Sequence, residues 1–201
     1  MSLISNFMYK KSNPLLAWYI SEITQLALLL FSTMVVFRIY FKLKRVEFNY
    51  NSDYKLVYDE VLLIIGLGAI YLFELYSIIA VLNNGIDGSE YLSFAVIFMT
   101  VIESTFQSVL IIDSLKKSTE DKELKKLKPG RSLITALILI DLSLWLIETF
   151  SARKYDMKKI ELEYYNIVFW SIVNSISSPL AIFFHFHAGV CLSEKWEELY
   201  D

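Results

Sequence analysis

Long stretches of this sequence contain no basic residue. No Lys or Arg occurs from Leu56 to Leu115, and none from Ile160 to Glu194. The 19 basic residues are concentrated between apolar blocks, in a chain of 201 residues that is 55% hydrophobic and has a mean hydropathy of +0.45. Multi-span membrane proteins keep cations out of the hydrocarbon in this way. The distribution therefore predicts an all-α protein that crosses a membrane several times.

Five apolar stretches are long enough to cross a hydrocarbon core of about 30 Å at about 1.5 Å per helical residue. They show no sustained period-two alternation, so strands are a poor interpretation. They also mostly lack the polar stripe of a soluble helical bundle. We expect one transmembrane domain covering 1–201, with spans at 15–37, 59–82, 91–112, 132–150 and 164–187. Turn residues Asn83–Gly85 and Lys128–Arg131 lie between spans.

Basic residues are divided unequally between the two sides of this arrangement. Twelve lie in or beside the connections after the first and third spans, and six lie on the other side. Because an excess of Lys and Arg marks cytoplasmic connections, loops 38–58 and 113–131 are predicted to be cytoplasmic. The N-terminus is then outside and the C-terminus inside. The formal net charge of −3 gives no indication of nucleic-acid binding.

Acidic residues occur inside the apolar spans. A carboxylate at the bilayer centre costs roughly 2.5–3.5 kcal/mol on insertion scales. Because the last four spans contain no Lys or Arg, salt bridges inside them are not expected, and each acid must be protonated, face water or accept hydrogen bonds. The sequence therefore predicts protonatable groups along an internal polar route. The acids are Glu22, Glu74, Glu103, Asp141 and Glu148, and His185 and His187 lie at the end of the fifth span.

Helical spacing groups these residues on three faces. Each face combines an acid with hydrogen-bonding or aromatic side chains, which suits the interior of a bundle better than lipid. The faces are Thr100, Glu103, Gln107 and Ser114 on span three, Asp141, Trp145 and Glu148 on span four, and Tyr71, Glu74 and Ser77 on span two.

The acids also have structural interpretations. Glu22 and Glu148 lie near span ends and are expected to reach the interface. Glu74 fits a protonated structural carboxyl as well as a titrating one. Glu103 with Gln107 fits interhelical hydrogen bonding as well as a functional role.

The two histidines invite a different interpretation. His185 and His187 lie at a predicted span end, where spacing alone favours a structural or interfacial role. A His-x-His pair without a nearby third ligand is weak evidence for metal. We predict no metal site and no cofactor, and no nucleophile or phosphate-binding motif supports an enzyme.

Three stretches together resemble the otopetrin family of proton-selective channels. Span three ends in ESTFQSVLIIDSLKK, the fourth span is entered by KPGRSLITALILIDLSLWLIETF, and the last helix contains FWSIVNSISSPLAIFFHFHAG. These stretches are similar to the family's patterns and occur in the family's order.

The resemblance implies twelve helices in two six-helix halves, paired as dimers, with both ends cytoplasmic and with passive proton influx stimulated by external acid. The spans here would be the last five, and the chain would be a fragment of a larger channel in the plasma membrane. Its partners would be the lipid bilayer, protons and either a second copy or the missing N-terminal half. Gln107 and Asp141 would belong to a central polar cluster supported by Glu103, with Glu74 as a second titratable group. His185 and His187 would lie near the cytoplasmic end of the route, and His187 matches the family's terminal His.

Two positions depart from the family pattern. The family usually has Asn at the position of Asp141 and Arg at the position of His185. An amide does not titrate and a carboxyl does, so Asp141 either mimics the amide or changes the pH response. Two alternative functions stay open: a non-conducting remnant or interaction module, and a proton-coupled transporter.

Overall fold

The computed structural model describes residues 14–43, 49–50, 56–84, 90–115, 117–118, 130–152 and 159–200. Over these residues the chain is a bundle of α-helices with one short pair of strands. The elements are α1 (Pro14–Leu43), β1 (Asn49–Tyr50), α2 (Leu56–Asn84), α3 (Glu90–Leu115), β2 (Lys117–Ser118), α4 (Arg131–Ala152), α5 (Lys159–Tyr165) and α6 (Ile167–Tyr200).

Five of these helices are long and apolar enough to cross a membrane, which confirms the predicted polytopic helical bundle. Their candidate spans are Tyr19–Lys42, Tyr58–Asn83, Tyr91–Leu115, Arg131–Thr149 and Ile167–Glu197. The segments 85–89 and 119–129, with their turn and basic residues, lie outside the described residues, as do 1–13, 44–48, 51–55 and 153–158.

The last long helix, Ile167–Tyr200, begins and ends later than the predicted fifth span, 164–187. Asn166 separates α5 from α6 and has a φ of 72°. Its side-chain Oδ1 accepts a hydrogen bond from the N–H of Val168 (3.2 Å), and its carbonyl accepts one from Trp170 (3.1 Å). Asn caps helix starts in this way and tolerates left-handed φ values. At the other end, α6 continues to Tyr200, so both histidines lie within the helix rather than at its end.

Interhelical contacts fix the relative directions of the helices. Helices α1 and α3 are parallel, because residue numbers increase in the same direction along both. Ser32 contacts Glu103, and further along the rings of Phe37 and Phe106 lie 4.7 Å apart. The α4–α6 and α2–α6 pairs are antiparallel, because early residues of one helix meet late residues of the other. The contacts that establish this are Arg131 with Trp196, Glu148 with His185, Asp59 with His187, and Tyr76 with Phe169.

The distribution of polarity is that of a membrane protein. Large apolar side chains such as Met34, Ile64 and Ile176 are exposed on the outside of the bundle, while carboxyl, imidazole and amide groups are buried inside it. An exterior of this kind suits lipid or further helices.

One glycine permits a close helix–helix approach. A Cβ on Gly66 of α2 would lie 3.0 Å from Cβ and 3.3 Å from Cα of Phe184 on α6. Small residues at such crossings let two backbones pack tightly in membranes. This contact holds α2 against the part of α6 that carries His185.

A two-residue strand pair lies outside the helices. β1 and β2 are antiparallel, with Asn49 opposite Ser118 and Tyr50 opposite Lys117. The pair connects the α1–α2 segment to the α3–α4 segment. Before α4, the carbonyl of Gly130, whose φ is 85°, accepts hydrogen bonds from the N–H groups of Leu133 and Ile134.

Candidate functional site

Four helices contribute polar side chains to one place in the interior, which we call the polar cluster. All its members except Glu148 are fully or almost fully buried. The polar cluster consists of Ser32 on α1, Glu103 and Gln107 on α3, Asp141 and Glu148 on α4, and His185 on α6.

Glu103 is held by a hydroxyl from a different helix. Ser32 Oγ donates a hydrogen bond to Glu103 Oε1 over 2.5 Å, and both residues are fully buried. Glu103 lies on the face of α3 that spacing assigned to the bundle interior, and Thr100 and Ser114 of that face are also buried. The hydroxyls of these two residues bond to carbonyls of their own helix (Val96 and Ile111).

Gln107 and Asp141 form the link between α3 and α4. Gln107 Nε2 donates to Asp141 Oδ1 over 2.6 Å, with neither side chain exposed. The backbone of α6 passes close by, since a Cβ on Gly189 would lie 3.6 Å from Asp141 Cβ. The two residues expected in a central polar cluster are thus in direct contact.

His185 supplies a basic partner that the sequence interpretation excluded. Its Nε2 lies 3.3 Å from Glu148 Oε1, and His185 is buried while the Glu148 side chain is 23% exposed. The prediction that no salt bridge could form inside these spans considered only Lys and Arg, whereas this imidazole–carboxylate contact becomes an ion pair when His185 is protonated. Glu148 does lie next to the end of its candidate span at Thr149, but its carboxylate contacts an imidazole rather than standing alone.

Electrostatic interactions join these pairs into one group. The His185 imidazole interacts with the carboxyls of Glu148, Glu103 and Asp141, and Glu103 also interacts with Asp141. From Glu148 to Asp141 is seven residues of α4, or about 10 Å along the helix axis. The polar cluster therefore extends over about a third of a 30 Å hydrocarbon core.

Several buried atoms of the polar cluster lack a hydrogen-bond partner among the described residues. Each belongs to a side chain whose other polar atom is bonded or ion-paired. The atoms are Glu103 Oε2, Gln107 Oε1, Asp141 Oδ2, Glu148 Oε2 and His185 Nδ1. Buried polar atoms normally bind protein groups or ordered water, because leaving them unpaired costs about 1–3 kcal/mol. These five atoms give the polar cluster a capacity for further hydrogen bonds.

Glu74 lies on a buried face of α2 together with Ser77. Tyr71, predicted to share the interior face, is instead exposed, although its hydroxyl lies 2.7 Å from Thr105 Oγ1 on α3. That contact joins α2 to α3 three residues from Glu74 and two residues from Glu103. A role for Glu74 in proton movement stays a prediction.

His187 lies away from the polar cluster. Two residues along a helix rotate a side chain by about 200°, so His185 and His187 point to opposite sides of α6. His187 Nε2 lies 3.2 Å from the carbonyl oxygen of Asp59 and 3.6 Å from Cys191 Sγ. The two histidines, predicted to share one end of a route, therefore have different surroundings.

The sequence did not predict the Ser32–Glu103 and His185–Glu148 contacts, for a common reason. Each interaction joins residues far apart in the chain, and Ser32 and Glu103 have a sequence separation of 71. Serine hydroxyls in helices commonly bond to the backbone of their own helix, and six of the described serines do so, as Ser143 does to Leu139. The last span could have been extended from the sequence, because the apolar helical pattern continues after His187. Ala188, Cys191 and Leu192 continue it, and all three are buried.

Five membrane-length helices that enclose carboxyl, imidazole and amide groups define a multi-pass membrane protein with a protonatable interior. Comparison with known proteins makes this more specific. The Otopetrin family model matches residues 1–186. The chain therefore belongs to the otopetrin family.

Two curated relatives carry channel names. Proton channel OtopLc of Drosophila melanogaster is 25% identical over 200 residues, a match that covers 100% of this chain and 13% of that protein. Proton channel OTOP2 of Homo sapiens is 30% identical over 60 residues, which is 30% of this chain and 11% of the human protein. The chain thus matches only a small part of the length of each.

Proposed function

We propose that this protein conducts protons passively across a membrane, with the polar cluster as part of the pathway. The observation that carries the proposal is the burial of two carboxyls and an imidazole between apolar helices, with the partly exposed carboxyl of Glu148 in contact with that imidazole. Groups that exchange protons in the membrane interior are expensive to bury, and they characteristically mark proton relays.

The proposed route passes through Glu148, His185 and Glu103. Glu148 is the partly exposed member, and His185 is 3.3 Å from it. An imidazole can take up a proton at one ring nitrogen and release one from the other. His185 Nδ1 and Glu103 Oε2 are free of hydrogen bonds within the described structure, so water bridging them would continue the route.

Gln107 and Asp141 have a positioning role in this proposal. The Gln107 amide does not titrate, and its hydrogen bond fixes one oxygen of Asp141. Asp141 then acts as a substitute for the family's amide, and Asp141 Oδ2 remains available to water.

The whole channel in this proposal is larger than the chain. The described helices would form the C-terminal part of a twelve-helix subunit in the plasma membrane, completed by an N-terminal half or by a second copy. The C-terminus and the β1–β2 side of the bundle would face the cytoplasm, in accord with the excess of basic residues there. Glu148 would then be nearer the external end of α4 than Asp141.

Acid-driven flux into liposomes tests the proposal. The chain is reconstituted with a pH-sensitive dye in the lumen, alone and co-reconstituted with the upstream part of its reading frame, and external pH is lowered in a solution with protons as the only permeant species. We expect lumen acidification above protein-free liposomes in at least one of these preparations. Glu103→Leu should abolish it, because this change removes a relay group.

A control variant changes a polar residue outside the polar cluster. Ser143→Ala removes a hydroxyl that bonds only to its own helix and should leave flux unchanged. Silence of both preparations, with the protein folded and incorporated, would favour a non-conducting module. Silence that ends only when a solute gradient is supplied would identify a proton-coupled carrier.

A further inference from the structure

Asp59, His187 and Cys191 come together on the side of α6 that faces α2. Asp59 lies near the start of α2, and the other two are one helical turn apart on α6. Each offers one donor atom, and the three donor atoms lie within 4.8 Å of one another. We call these residues the Asp–His–Cys site. The sequence spacing supplied no third ligand for His187, whereas the folded chain supplies two residues.

The donor spacing is close to that of tetrahedral zinc. With Zn–S near 2.3 Å and Zn–N and Zn–O near 2.0 Å, tetrahedral angles separate neighbouring donor atoms by about 3.3–3.5 Å. His187 Nε2 lies 3.6 Å from Cys191 Sγ and 3.9 Å from Asp59 Oδ1. These two pairs need shifts of a few tenths of an ångström, and the Asp59–Cys191 pair, which lies within 4.8 Å, needs a shift of up to about 1.3 Å. Rotation of the partly exposed Asp59 side chain would bring the three donors onto one ion.

The chemistry of the donors favours the same class of ion. Imidazole and thiolate select borderline and soft metals such as Zn²⁺ over Mg²⁺ and Ca²⁺, which prefer oxygen ligands. His187 and Cys191 are buried, which excludes competing water, while the Asp59 side chain is 33% exposed and leaves an approach open. A bound ion would replace the hydrogen bond between His187 Nε2 and the Asp59 carbonyl oxygen.

We propose that Asp59, His187 and Cys191 form a binding site for a divalent transition metal of the zinc class, with a water molecule as the fourth ligand. The ion would cross-link α2 to α6. It would lie on the side of α6 opposite to the side that carries His185 and the polar cluster. None of its three residues belongs to the polar cluster, so the metal-binding test below does not depend on whether the protein conducts protons.

Cobalt substitution tests the site directly. Co²⁺ gives a sulfur-to-metal charge-transfer absorption only when a thiolate is a ligand, and Cys191 is the only cysteine in the chain. The 201-residue chain, purified in detergent without a polyhistidine tag, should show this absorption when titrated with Co²⁺. Added Zn²⁺ should abolish it and should raise the melting temperature of the protein.

Variants separate this site from nonspecific binding. Cys191→Ala should eliminate the absorption, and His187→Gln and Asp59→Asn should each weaken Co²⁺ affinity at least about tenfold, since even outer-shell partners contribute 10–100-fold. His185→Gln is the control, because His185 is the only other histidine and faces Glu148. Absence of the absorption in the folded wild-type chain would overturn the proposal, and so would equal weakening by His185→Gln and His187→Gln. Circular dichroism at each step verifies folding.

Discussion

Gln107 on α3 donates a hydrogen bond of 2.6 Å to Asp141 on α4, and neither residue is exposed. The amide N–H group needs an acceptor at this position, and either a carboxyl or an amide oxygen can provide it. The bond therefore allows either an acid or an amide at position 141.

Asp141→Asn should be a mild change, because the new side-chain oxygen still accepts from Gln107. Asp141→Leu should be disruptive, because it leaves the buried Gln107 amide without its partner at a cost of about 1–3 kcal/mol. Melting temperature and acid-driven proton flux measure the difference in the complete protein. Equal loss in both variants would contradict the idea that Asp141 substitutes for an amide.

The His185–Glu148 pair should show energetic coupling. Glu148→Gln and His185→Gln each leave the other group without its ionic partner, so the double variant should lose less stability than the sum of the single variants. A coupling of about 0.5–3 kcal/mol is expected from a double-mutant cycle on unfolding free energies. The control cycle combines Glu148→Gln with His187→Gln, which should be additive because His187 contacts α2. Additivity in the first cycle would show that the 3.3 Å contact contributes nothing.

Gly66→Ala should destabilise the protein, because the added methyl group would lie 3.0 Å from Phe184 Cβ and force α2 away from α6. Overpacking of this kind typically costs about 1–3 kcal/mol. Gly68→Ala is the matched control on the same helix, since a Cβ there meets nothing within 4 Å. Its effect should be neutral or stabilising by up to about 1 kcal/mol, because alanine favours helix more than glycine does. Thermal unfolding of the two variants side by side provides the measurement, and an equal response would refute the close approach.

Asn166→Ala should destabilise the start of α6. The change removes the side-chain acceptor for the Val168 N–H, a loss of about 1 kcal/mol, and imposes a left-handed φ on alanine. Asn166→Gly should be tolerated better, since glycine accepts a φ of 72° without strain. The melting temperature should be highest for the wild type, lower for Asn166→Gly and lowest for Asn166→Ala. A reversed order of the two variants would contradict this prediction.

Span number and helical class were predictable because hydropathy and the placement of Lys and Arg act over whole segments. The interior face of α3 was predictable for the same kind of reason, since residues three and four apart share a side of a helix, and Glu103 and Gln107 are indeed buried there. Side-chain pairs between helices were not predictable, because they depend on how each helix is rotated about its axis and tilted against its neighbours. The pairing of Ser32 with Glu103 and the separation of His185 from His187 both arise at that level.

The short β1–β2 pair has a consequence for experiments on membrane topology. Its two strands belong to different interhelical connections, yet they are hydrogen-bonded neighbours through Asn49 and Ser118. Both connections must therefore open into the same aqueous compartment. An epitope inserted in one connection and a protease site inserted in the other should be reached from the same side of a sealed vesicle, so one accessibility measurement assigns the sidedness of both.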